Sequence, residues 1–283
     1  MTYTMRYINE YGAEIDFSWA SGYVLAETTG LTSNVIDTVN SQGISQVGKT
    51  LRGQSVQPRI ITCKGTALGE SRMRRQQLIN TILPNTRAQL IFDDIWHIDV
   101  VPKMTPNISR HNDNCTFDFI LEAAYPYWHK EDDDVTALSE MIPMFKFPWN
   151  LTKPWKFGER SAAQLSNVIN NGNVPTEFTV IFTAITTVQN PSITKASTLE
   201  FIRVNRTMSP GESITVRNSA NRVEVLSTIA GVTVDIFSYL DFNSTLFLLD
   251  VGDNVLRYDA DYNRDGLDIR IIRPIVSVGA YME

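Results

Sequence analysis

Residues 34–68, "NVIDTVNSQGISQVGKTLRGQSVQPRIITCKGTAL", combine two segments of different character. The first half is poor in large apolar residues and has glycines at positions 43, 48 and 53. The second half contains "PRIITCKG", which is typical of a strand. We therefore predict a long hairpin arm at about residues 35–62 that has little core of its own. Such an arm gains stability by pairing with another element or another chain.

The segments on either side of this arm predict further β-structure. "MRYINEYGAEIDF" alternates apolar and polar residues and breaks at Gly12, which predicts a hairpin. "AQLIFDDIWHIDVVPK" predicts a second hairpin with Asp93 and Asp94 at its turn. "CTFDFILEA" alternates as one more strand.

A single helix is predicted between these strands, over about residues 70–83 in "GESRMRRQQLINTILP". Leu78 and Ile82, and likewise Ile79 and Leu83, repeat at a spacing of four residues, which is typical of a helix. The three arginines at positions 72, 74 and 75 are expected to face outward. Pro84 ends the helix.

The acidic run in "YPYWHKEDDD" predicts a solvated boundary between two domains, residues 1–135 and 136–283. Beyond it, short strands recur about every ten residues and are separated by turn signals such as "NNGN" and "VGDN". This spacing predicts a sandwich or jelly roll. The predicted fold class is therefore mainly β, with an α+β N-terminal domain and a C-terminal β-sandwich.

The composition limits the function. The chain has 283 residues, a net charge of −6 and a sequence pI of about 5.2. A mildly acidic chain lacks the clustered basic residues that hold duplex DNA or an anionic membrane. No apolar run approaches the roughly 20 residues that span a bilayer, and the N-terminal segment does not resemble a signal peptide. Cys63 and Cys115 are predicted to be buried free thiols on strands.

Three common catalytic or cofactor-binding motifs are missing from the sequence, which contains no GxSxG, HExxH or GxGxxG pattern. We therefore predict that the chain is not an enzyme and needs no cofactor. The three histidines have unrelated spacings, with His97 expected to be a satisfied structural residue and His129 to lie in a solvated loop. Aspartates near strand ends, at positions 241, 250, 253 and 259, do not distinguish a glycosidase from any acidic β-sandwich.

The segment "FKFPWNLTKPWKF" mixes basic and aromatic residues, including Trp149 and Trp155. Such a mixture can stack on nucleobases or sugars. Two prolines hold the segment extended, however, and favour a hydrophobic strap where one domain docks on the next. Trp149 and Trp155 are accordingly candidates for an outer-domain contact.

The segment "YDADYNRDGLDIRI", residues 258–271, contains half of a calcium-binding loop in Asp261, Asn263 and Asp265. The twelfth loop position, where such a site needs a bidentate carboxylate, is Ile272. The flanking segments alternate as strands, so we predict a solvent-facing turn in the last hairpin of the outer domain. Asn263 and Gly266 are expected at its positive-φ positions. Calcium, with Asp259 and Asp268 as further ligands, is the weaker alternative.

The order of these features resembles the distal tail (Dit) proteins of long-tailed bacteriophages. "INEYGAEIDF…GYVLAETTGL", the glutamine-rich arm and the helix resemble the first domain of that family. "NVINNGNVPTEFTVIFTAI" and "LEFIRVNRTMSPGESITVRN" resemble its C-terminal domain. The resemblance implies a structural ring, usually a hexamer, at the tip of a tail, with a galectin-like C-terminal domain. It also implies a virion tail-tip location after assembly in the bacterial cytoplasm, and DNA that only passes through the lumen.

In the resembled family the arm is a belt that wraps onto the neighbouring subunit. The predicted belt contacts in this chain are Gln42, Gln46, Lys49, Leu51, Arg52, Gln54 and Val56. The implied partners are other copies of the chain, the tail tube protein, the tail-associated hub protein and a receptor-binding protein.

A carbohydrate-binding sandwich that adheres to a host surface is the alternative function. It would need exposed aromatic side chains such as Trp149, Trp155 or Tyr239 as a sugar platform. No histidine follows His129 and no tryptophan follows Trp155. Because galectins use both residue types, we predict that the chain has no galectin-type sugar site.

Overall fold

The computed structural model describes residues 4–111, 113–138, 141–143, 158–160, 165–219 and 222–280. The chain divides into two compact units, Met1–Glu131 with Val276–Glu283, and Asp132–Ile275. The sequence places a boundary near residue 135, but it gives no sign that residues 276–283 return to the first unit. The first unit is thus assembled from both ends of the sequence, with the second unit inserted between them.

The first unit begins with six strands, a helix and four more strands. In chain order they are β1 (Met5–Asn9), β2 (Glu14–Phe17), β3 (Tyr23–Thr29), β4 (Ile36–Ser41), β5 (Thr50–Val56), β6 (Arg59–Ala67), α1 (Ser71–Thr81), β7 (Ala88–Phe92), β8 (Trp96–His111), β9 (Asn114–Ala123) and β10 (Trp128–Lys130).

The main sheet of this unit has the strand order β2-β1-β7-β8-β9-β6-β3. Strand β8 is 16 residues long, and it pairs with β7 through its first part and with β9 through the rest. Alternate residues are buried on β1, β6 and β9, because successive side chains of a strand point to opposite faces. The buried face carries the aromatic group Phe17, Tyr23, Phe117 and Phe119, whose ring centroids lie 5.7–6.4 Å apart.

The two predicted hairpins of this sheet are confirmed. Strands β1 and β2 pair antiparallel around Gly12, which has φ of 78°. Strands β7 and β8 pair around Asp93 and Asp94, whose φ values are 57° and 53°. Two successive positive-φ residues are the conformation that tight hairpin turns require, and aspartate tolerates it.

The predicted helix is confirmed, but its outward-facing arginines are only partly so. Leu78 and Ile82 are buried against the sheet, whereas Ile79 is 42% exposed. Arg74 was expected to face outward, but its Nη1 donates to the carbonyl oxygen of Ser21 and its guanidinium lies 5.1 Å from the ring centroid of Tyr23. An arginine can cover an aromatic ring with its planar head, so this side chain packs rather than projects.

The second unit consists of strands in chain order from β11 to β23. They are β11 (Asp134–Ala137), β12 (Met141–Pro143), β13 (Gly158–Arg160), β14 (Leu165–Asn170), β15 (Thr179–Ala184), β16 (Val188–Lys195), β17 (Phe201–Arg203), β18 (Thr207–Met208), β19 (Ser213–Ser219), β20 (Arg222–Ile229), β21 (Val232–Asp235), β22 (Gly252–Tyr262) and β23 (Leu267–Arg273). The chain then returns to the first unit as β24 (Val276–Ser277), which pairs with β10.

Two sheets of the second unit share one apolar core. The six-stranded sheet has the order β11-β23-β15-β19-β20-β21, and the five-stranded sheet has the path β14-β22-β16-β17 with β18 on β16. Phe182 and Ile269 of the first sheet are buried in the same cluster as Ile193 and Leu256 of the second. The mainly β fold class and the C-terminal β-sandwich are therefore confirmed.

Glu212, just before β19, is a buried carboxylate held by hydrogen bonds. Its oxygens accept from the hydroxyl of Ser227 at 2.6 Å, from the backbone N–H of Ser209 at 2.9 Å and from Nε of Arg206 at 3.1 Å. Burial alone would raise the pKa of Glu212, but these hydrogen bonds and the charge of Arg206 outweigh it and lower that pKa.

The predicted cysteines are confirmed as free thiols, and both are buried. They lie on paired strands, Cys63 on β6 and Cys115 on β9. Burial raises the pKa of the Cys63 thiol to about 12, so this group stays protonated and unreactive. Among the residues that the structure describes, no helix is long and apolar enough to cross a membrane.

Candidate functional site

The arm is the hairpin of β4 and β5, which form a two-stranded sheet of their own. At its base, the backbone N–H of Gln57 donates to the carbonyl oxygen of Val35 at 2.9 Å. The two strands lie inside the predicted limits of the arm, whereas the residues from Arg59 onward belong to the main sheet as β6. An isolated two-stranded hairpin is at best marginally stable in water.

The register of the arm contains one irregularity. Ile36 pairs with Val56 and Val39 with Gly53, but Asn40 pairs with Leu51, so one extra residue lies on β5. That residue is Arg52, whose Nε donates to Oγ of Ser41 at 2.9 Å. Such a bulge increases the local twist of a hairpin and fixes its register.

The tip of the arm, residues 42–49, is closed by polar contacts. The carbonyl oxygen of Gly43 accepts from the backbone N–H of Gln46 at 3.2 Å, and the Gln46 side chain returns the contact to the Gly43 N–H at 2.9 Å. Nε2 of Gln46 also donates to the hydroxyl of Thr50 at 2.8 Å. Gln46 therefore shapes the tip, in addition to the intersubunit contact that the sequence predicts for it.

Large apolar side chains project from the arm into solvent. Ile44 and Val47 at the tip are fully exposed, with relative areas of 102% and 101%. The hairpin strands and the residue before them add Val35 at 62%, Val39 at 65% and Leu51 at 53%. Several large exposed apolar residues on one hairpin are typical of a surface that binds another protein.

The predicted belt contacts are all exposed on this arm, at Gln42, Gln46, Lys49, Leu51, Arg52, Gln54 and Val56. The structure brings them together on one hairpin, and their contact with a neighbouring subunit stays a prediction. The sequence reasoning did not include five further exposed apolar residues of the arm, namely Val35, Ile36, Val39, Ile44 and Val47. The available signal was five apolar residues in a polar, glycine-containing segment that has no core to receive them.

Arg59 lies where the arm joins the main sheet and is only 2% exposed. Its guanidinium donates to acceptors from three parts of the chain: the carbonyl oxygens of Gly30, Leu31, Ser33, Pro126 and Val278, and Oδ1 of Asn34. The hydrogen bonds to the carbonyl oxygens of Pro126 and Gly30 are both 2.6 Å long. All six acceptors are uncharged, and burial lowers the pKa of Arg59 to about 10.

The segment that receives Arg59 is held by further contacts. Nε1 of Trp128 donates to the carbonyl oxygen of Leu31 at 2.9 Å, and the backbone N–H of Ala280 donates to the same oxygen at 3.2 Å. Nδ2 of Asn34 reaches the carbonyl oxygen of Val278 at 3.3 Å. The root of the arm is therefore fixed by Arg59, by β10 and by the segment after β24.

Two histidines that the sequence treats as unrelated form a stacked pair. The rings of His97 on β8 and His129 on β10 are 5.6 Å apart with an interplanar angle of 21°. His129 was expected in a solvated loop, but it lies on β10, which pairs with β8. Nδ1 of His97 has no hydrogen-bond partner among the described residues and lies 3.8 Å from Oε2 of Glu131. His97 is thus packed within the sheet as expected of a structural residue, but its Nδ1 lacks the hydrogen bond that was expected.

The half calcium motif lies in a corner between the two sheets of the sandwich. The sequence predicts a hairpin here, but β22 and β23 belong to different sheets and do not pair with each other. Asn263 has the expected positive φ of 55°, whereas Gly266 does not. A Cβ on Gly266 would lie 2.1 Å from Oγ1 of Thr186, so this glycine is required by close packing.

The polar side chains of this corner form hydrogen bonds and ion pairs with other residues of the chain. The Asp261 carboxylate accepts from Nη2 of Arg203 at 2.5 Å and from Nδ2 of Asn190 at 2.8 Å. Nδ2 of Asn263 donates to Thr186 at 2.7 Å, and Asp265 contacts Arg264 at 3.1 Å. No group of three or more His, Cys, Asp or Glu residues able to hold a metal ion occurs in the described part of the chain. Trp149 and Trp155 lie outside the described residues.

The chain is similar to proteins of phage tails in both sequence and fold. Residues 171–269 match the family model of the siphovirus-type tail component, C-terminal domain, named SPP1_Dit. No curated protein sequence matches the chain.

Among solved structures, the crystal structure of SPP1 Dit (gp 19.1), described as a paradigm of the hub adsorption apparatus in phages that infect Gram-positive bacteria, matches with a TM-score of 0.72. The match has 13% identity and covers 98% of this chain and 99% of that one. A chain of the phage P2 baseplate in its activated conformation with calcium matches with a TM-score of 0.51 and 9% identity, covering 96% and 98%. The resemblance of the sequence to the distal tail proteins is thus confirmed.

Proposed function

We propose that the chain is a structural hub protein of a phage tail tip, since residues 171–269 match the family model of the siphovirus-type tail component, C-terminal domain. The fold of SPP1 Dit over nearly the whole length supports the same role for the first unit. In this proposal the chain acts by assembly and not by catalysis. Its location is the virion tail, after assembly in the cytoplasm of the bacterial host.

The observation that carries the proposal is the arm. Its hairpin has no core, no strand partner in the described chain, and apolar side chains that are fully exposed at the tip. Burying these side chains against a neighbouring subunit would recover their hydrophobic free energy, which the isolated chain leaves unused. A contact in which one surface receives the arm of another copy is head-to-tail, and it closes into a ring when its rotation closes. By the family resemblance we propose a ring of six subunits.

The remaining partners follow from the same resemblance. One face of the ring meets the tail tube protein, the other meets the tail-associated hub protein, and the second unit carries receptor-binding components. DNA has contact with the ring only while it passes through the lumen. A net charge of −6 supports such passage, because an acidic surface repels phosphate.

The mass of the protein in solution tests the ring directly. Native mass spectrometry of the full chain, alone and mixed with the tail tube protein, is expected to show closed multimers. Since the backbone atoms of Val35 and Gln57 are already hydrogen-bonded, residues 36–56 can be replaced by a two-glycine turn without opening the sheet. This armless variant is expected to stay folded and monomeric. A full-length chain that remains monomeric with the tube protein, or an armless chain that still closes into rings, refutes the proposal.

A further inference from the structure

A groove lies on the solvent face of the five-stranded sheet, across β17, β16 and β22. It has a volume of about 310 Å³. The register explains its shape: Thr194 on the central strand lies between Phe201 and Arg257, and Ser192 lies between Arg203 and Asp259. Small side chains thus form the floor, and longer ones on the outer strands form the walls. We refer to this feature as the sheet groove.

The alternation of the three strands separates the groove from the core. Ile193, Ile202 and Tyr258, which alternate with the groove residues, are buried in the apolar cluster of the sandwich. The side chains of the groove therefore project away from that cluster, as the pleat requires. Arg257 and Asp261 are four residues apart on one strand, so the groove is about 14 Å long at roughly 3.4 Å per residue.

The charged walls of the sheet groove balance. Nη2 of Arg203 contacts Asp261 at 2.5 Å, and Nη2 of Arg257 contacts Asp259 at 3.0 Å. Two arginines and two aspartates give the groove no net charge. The Asn190 amide and then Arg203 lower the pKa of Asp261, so that carboxylate is ionised at neutral pH. Each cation is already matched by an anion in a half-exposed ion pair, so a ligand with a net charge gains little Coulomb energy from this surface.

The same walls place hydrogen-bond donors directly beside acceptors. Guanidinium groups only donate and carboxylates only accept, so a ligand that satisfies both must carry groups that do both. Hydroxyl groups have this property, and the Ser192 and Thr194 hydroxyls on the floor can take either role. Phe201 supplies an aromatic surface at one wall, against which the C–H face of a ring can pack.

We propose that the sheet groove binds a neutral saccharide, whose hydroxyls bond to the donor and acceptor positions that the ion pairs of Arg203, Arg257, Asp259 and Asp261 leave open, while Phe201 packs on a ring face. This residue set contains neither histidine nor tryptophan, so the site differs from the galectin type that the sequence argues against. It gives the second unit a binding activity of its own, beyond the structural role in a tail. The site does not require the ring, since all of its residues lie on one sheet of one chain.

The test is saturation-transfer NMR and calorimetry with the full chain and three neutral probes: maltotetraose, cellotetraose and chitotetraose. Trigalacturonate and tetrameric chitosan are the anionic and cationic comparators. We expect millimolar or tighter binding of at least one neutral probe, and tenfold or weaker binding of both charged ones. Moderate salt should change the affinity for the neutral probe less than twofold, because no net charge is involved.

Two variants locate the site. Phe201→Ala removes the aromatic wall, and the double substitution Arg257→Ala with Asp259→Ala removes one ion pair without changing the net charge. Each is expected to weaken binding at least tenfold, since hydrogen bonds to charged groups are the strong ones. The matched control removes Arg217 and Glu224, an ion pair of 3.5 Å on the other sheet, and should leave binding unchanged.

Thermal unfolding of each variant verifies that the sandwich is intact. Binding of a neutral probe that both groove variants weaken and the control retains supports the proposal. It is overturned if none of the three neutral probes binds, if the groove variants bind as well as the parent, or if a charged comparator binds more tightly. None of these outcomes depends on whether the chain forms rings, so the result is separate from the test of the tail role.

Discussion

Replacing Ile44 and Val47 at the tip of the arm by serine should abolish assembly while leaving the folded subunit untouched. Both side chains are fully exposed in the chain, so neither contributes packing to its fold. The polar contacts that close the tip use Gly43, Gln46 and Thr50, which remain in place. The double substitution therefore separates assembly from folding, which deletion of the arm does less cleanly.

The size of the effect follows from the exposed area. Complete burial of a valine or isoleucine side chain contributes about 1.5–3 kcal/mol, and a serine recovers almost none of it. If a neighbouring subunit buries both side chains, each interface loses about 3–6 kcal/mol. At about 1.4 kcal/mol per factor of ten, the dissociation constant of each interface rises at least a hundredfold. Around a closed ring this loss recurs at every interface.

Mass photometry over a dilution series measures this directly, with denaturant unfolding as the check on the fold. Leu199→Ser is the matched control, because Leu199 is 75% exposed but lies in the second unit, outside the arm. We expect rings for the parent and the control, monomers for the double variant, and equal unfolding midpoints for all three. Rings of unchanged affinity in the double variant would show that the arm tip is not buried by a neighbour. An altered unfolding midpoint would show that the tip is part of the folded core.

Three further predictions concern stability. Arg59→Met should lower the free energy of unfolding by about 3–5 kcal/mol, because the carbonyl oxygens around Arg59 lose their donor. Arg59→Lys should cost less, because lysine keeps some of these hydrogen bonds. Equal losses of the two variants in denaturant unfolding would contradict the role of these acceptors. Gly30→Ala should lower the free energy of unfolding by more than about 3 kcal/mol, since Gly30 has φ of +86° and a Cβ would lie 2.0 Å from the Ile60 carbonyl oxygen. Gly53→Ala is the control and should be neutral, because nothing lies within 4 Å of the added Cβ. Similar unfolding midpoints of the two variants would be inconsistent with this. The lowered pKa of Glu212 means that its ionised form stabilises the fold above the ordinary value of 4.5, and that this contribution is lost as pH falls through the lower folded pKa. Glu212→Gln should therefore be less stable at pH 7, and the gap in melting temperature should narrow toward pH 3; a constant gap would disprove this assignment.

Local patterns in the sequence predict the local structure well. The Asp93-Asp94 turn follows from two adjacent residues that tolerate positive φ, and the helix follows from a four-residue apolar spacing and a following proline. The free thiols follow from cysteines at alternating strand positions. In each instance the determining interactions lie within a few residues of one another.

Long-range pairing is where sequence reasoning fails. Strands β22 and β23 are neighbours in the chain, which suggested a hairpin, but β22 pairs with β14 and β16 whereas β23 pairs with β11 and β15 in the other sheet. The stacking of His97 on His129 depends on the pairing of β8 with β10, which no spacing reveals. The six acceptors around Arg59 come from three distant segments and are mostly backbone oxygens, which look alike in every sequence.

The two candidate sites show the same difference between features set by local sequence and features set by long-range strand pairing. The existence of the arm and its start could be predicted because a polar, glycine-containing segment lacks a core, whereas its end could not, because Arg59 onward pairs with the distant strand β9. The sheet groove could not be predicted, because its charge balance arises only when β17, β16 and β22 lie side by side.

The return of residues 276–280 to the first unit has a consequence for the order of events during biosynthesis. A ribosome releases Arg59 and the arm long before it releases Val278, whose carbonyl oxygen is one of the six acceptors of the Arg59 guanidinium. Until then β24 is missing and the Arg59 guanidinium has one acceptor fewer. If the arm docks on a neighbouring subunit as proposed, its root is complete only after the inserted sandwich has been synthesised. The connectivity of the fold would then delay assembly until almost the whole chain has left the ribosome.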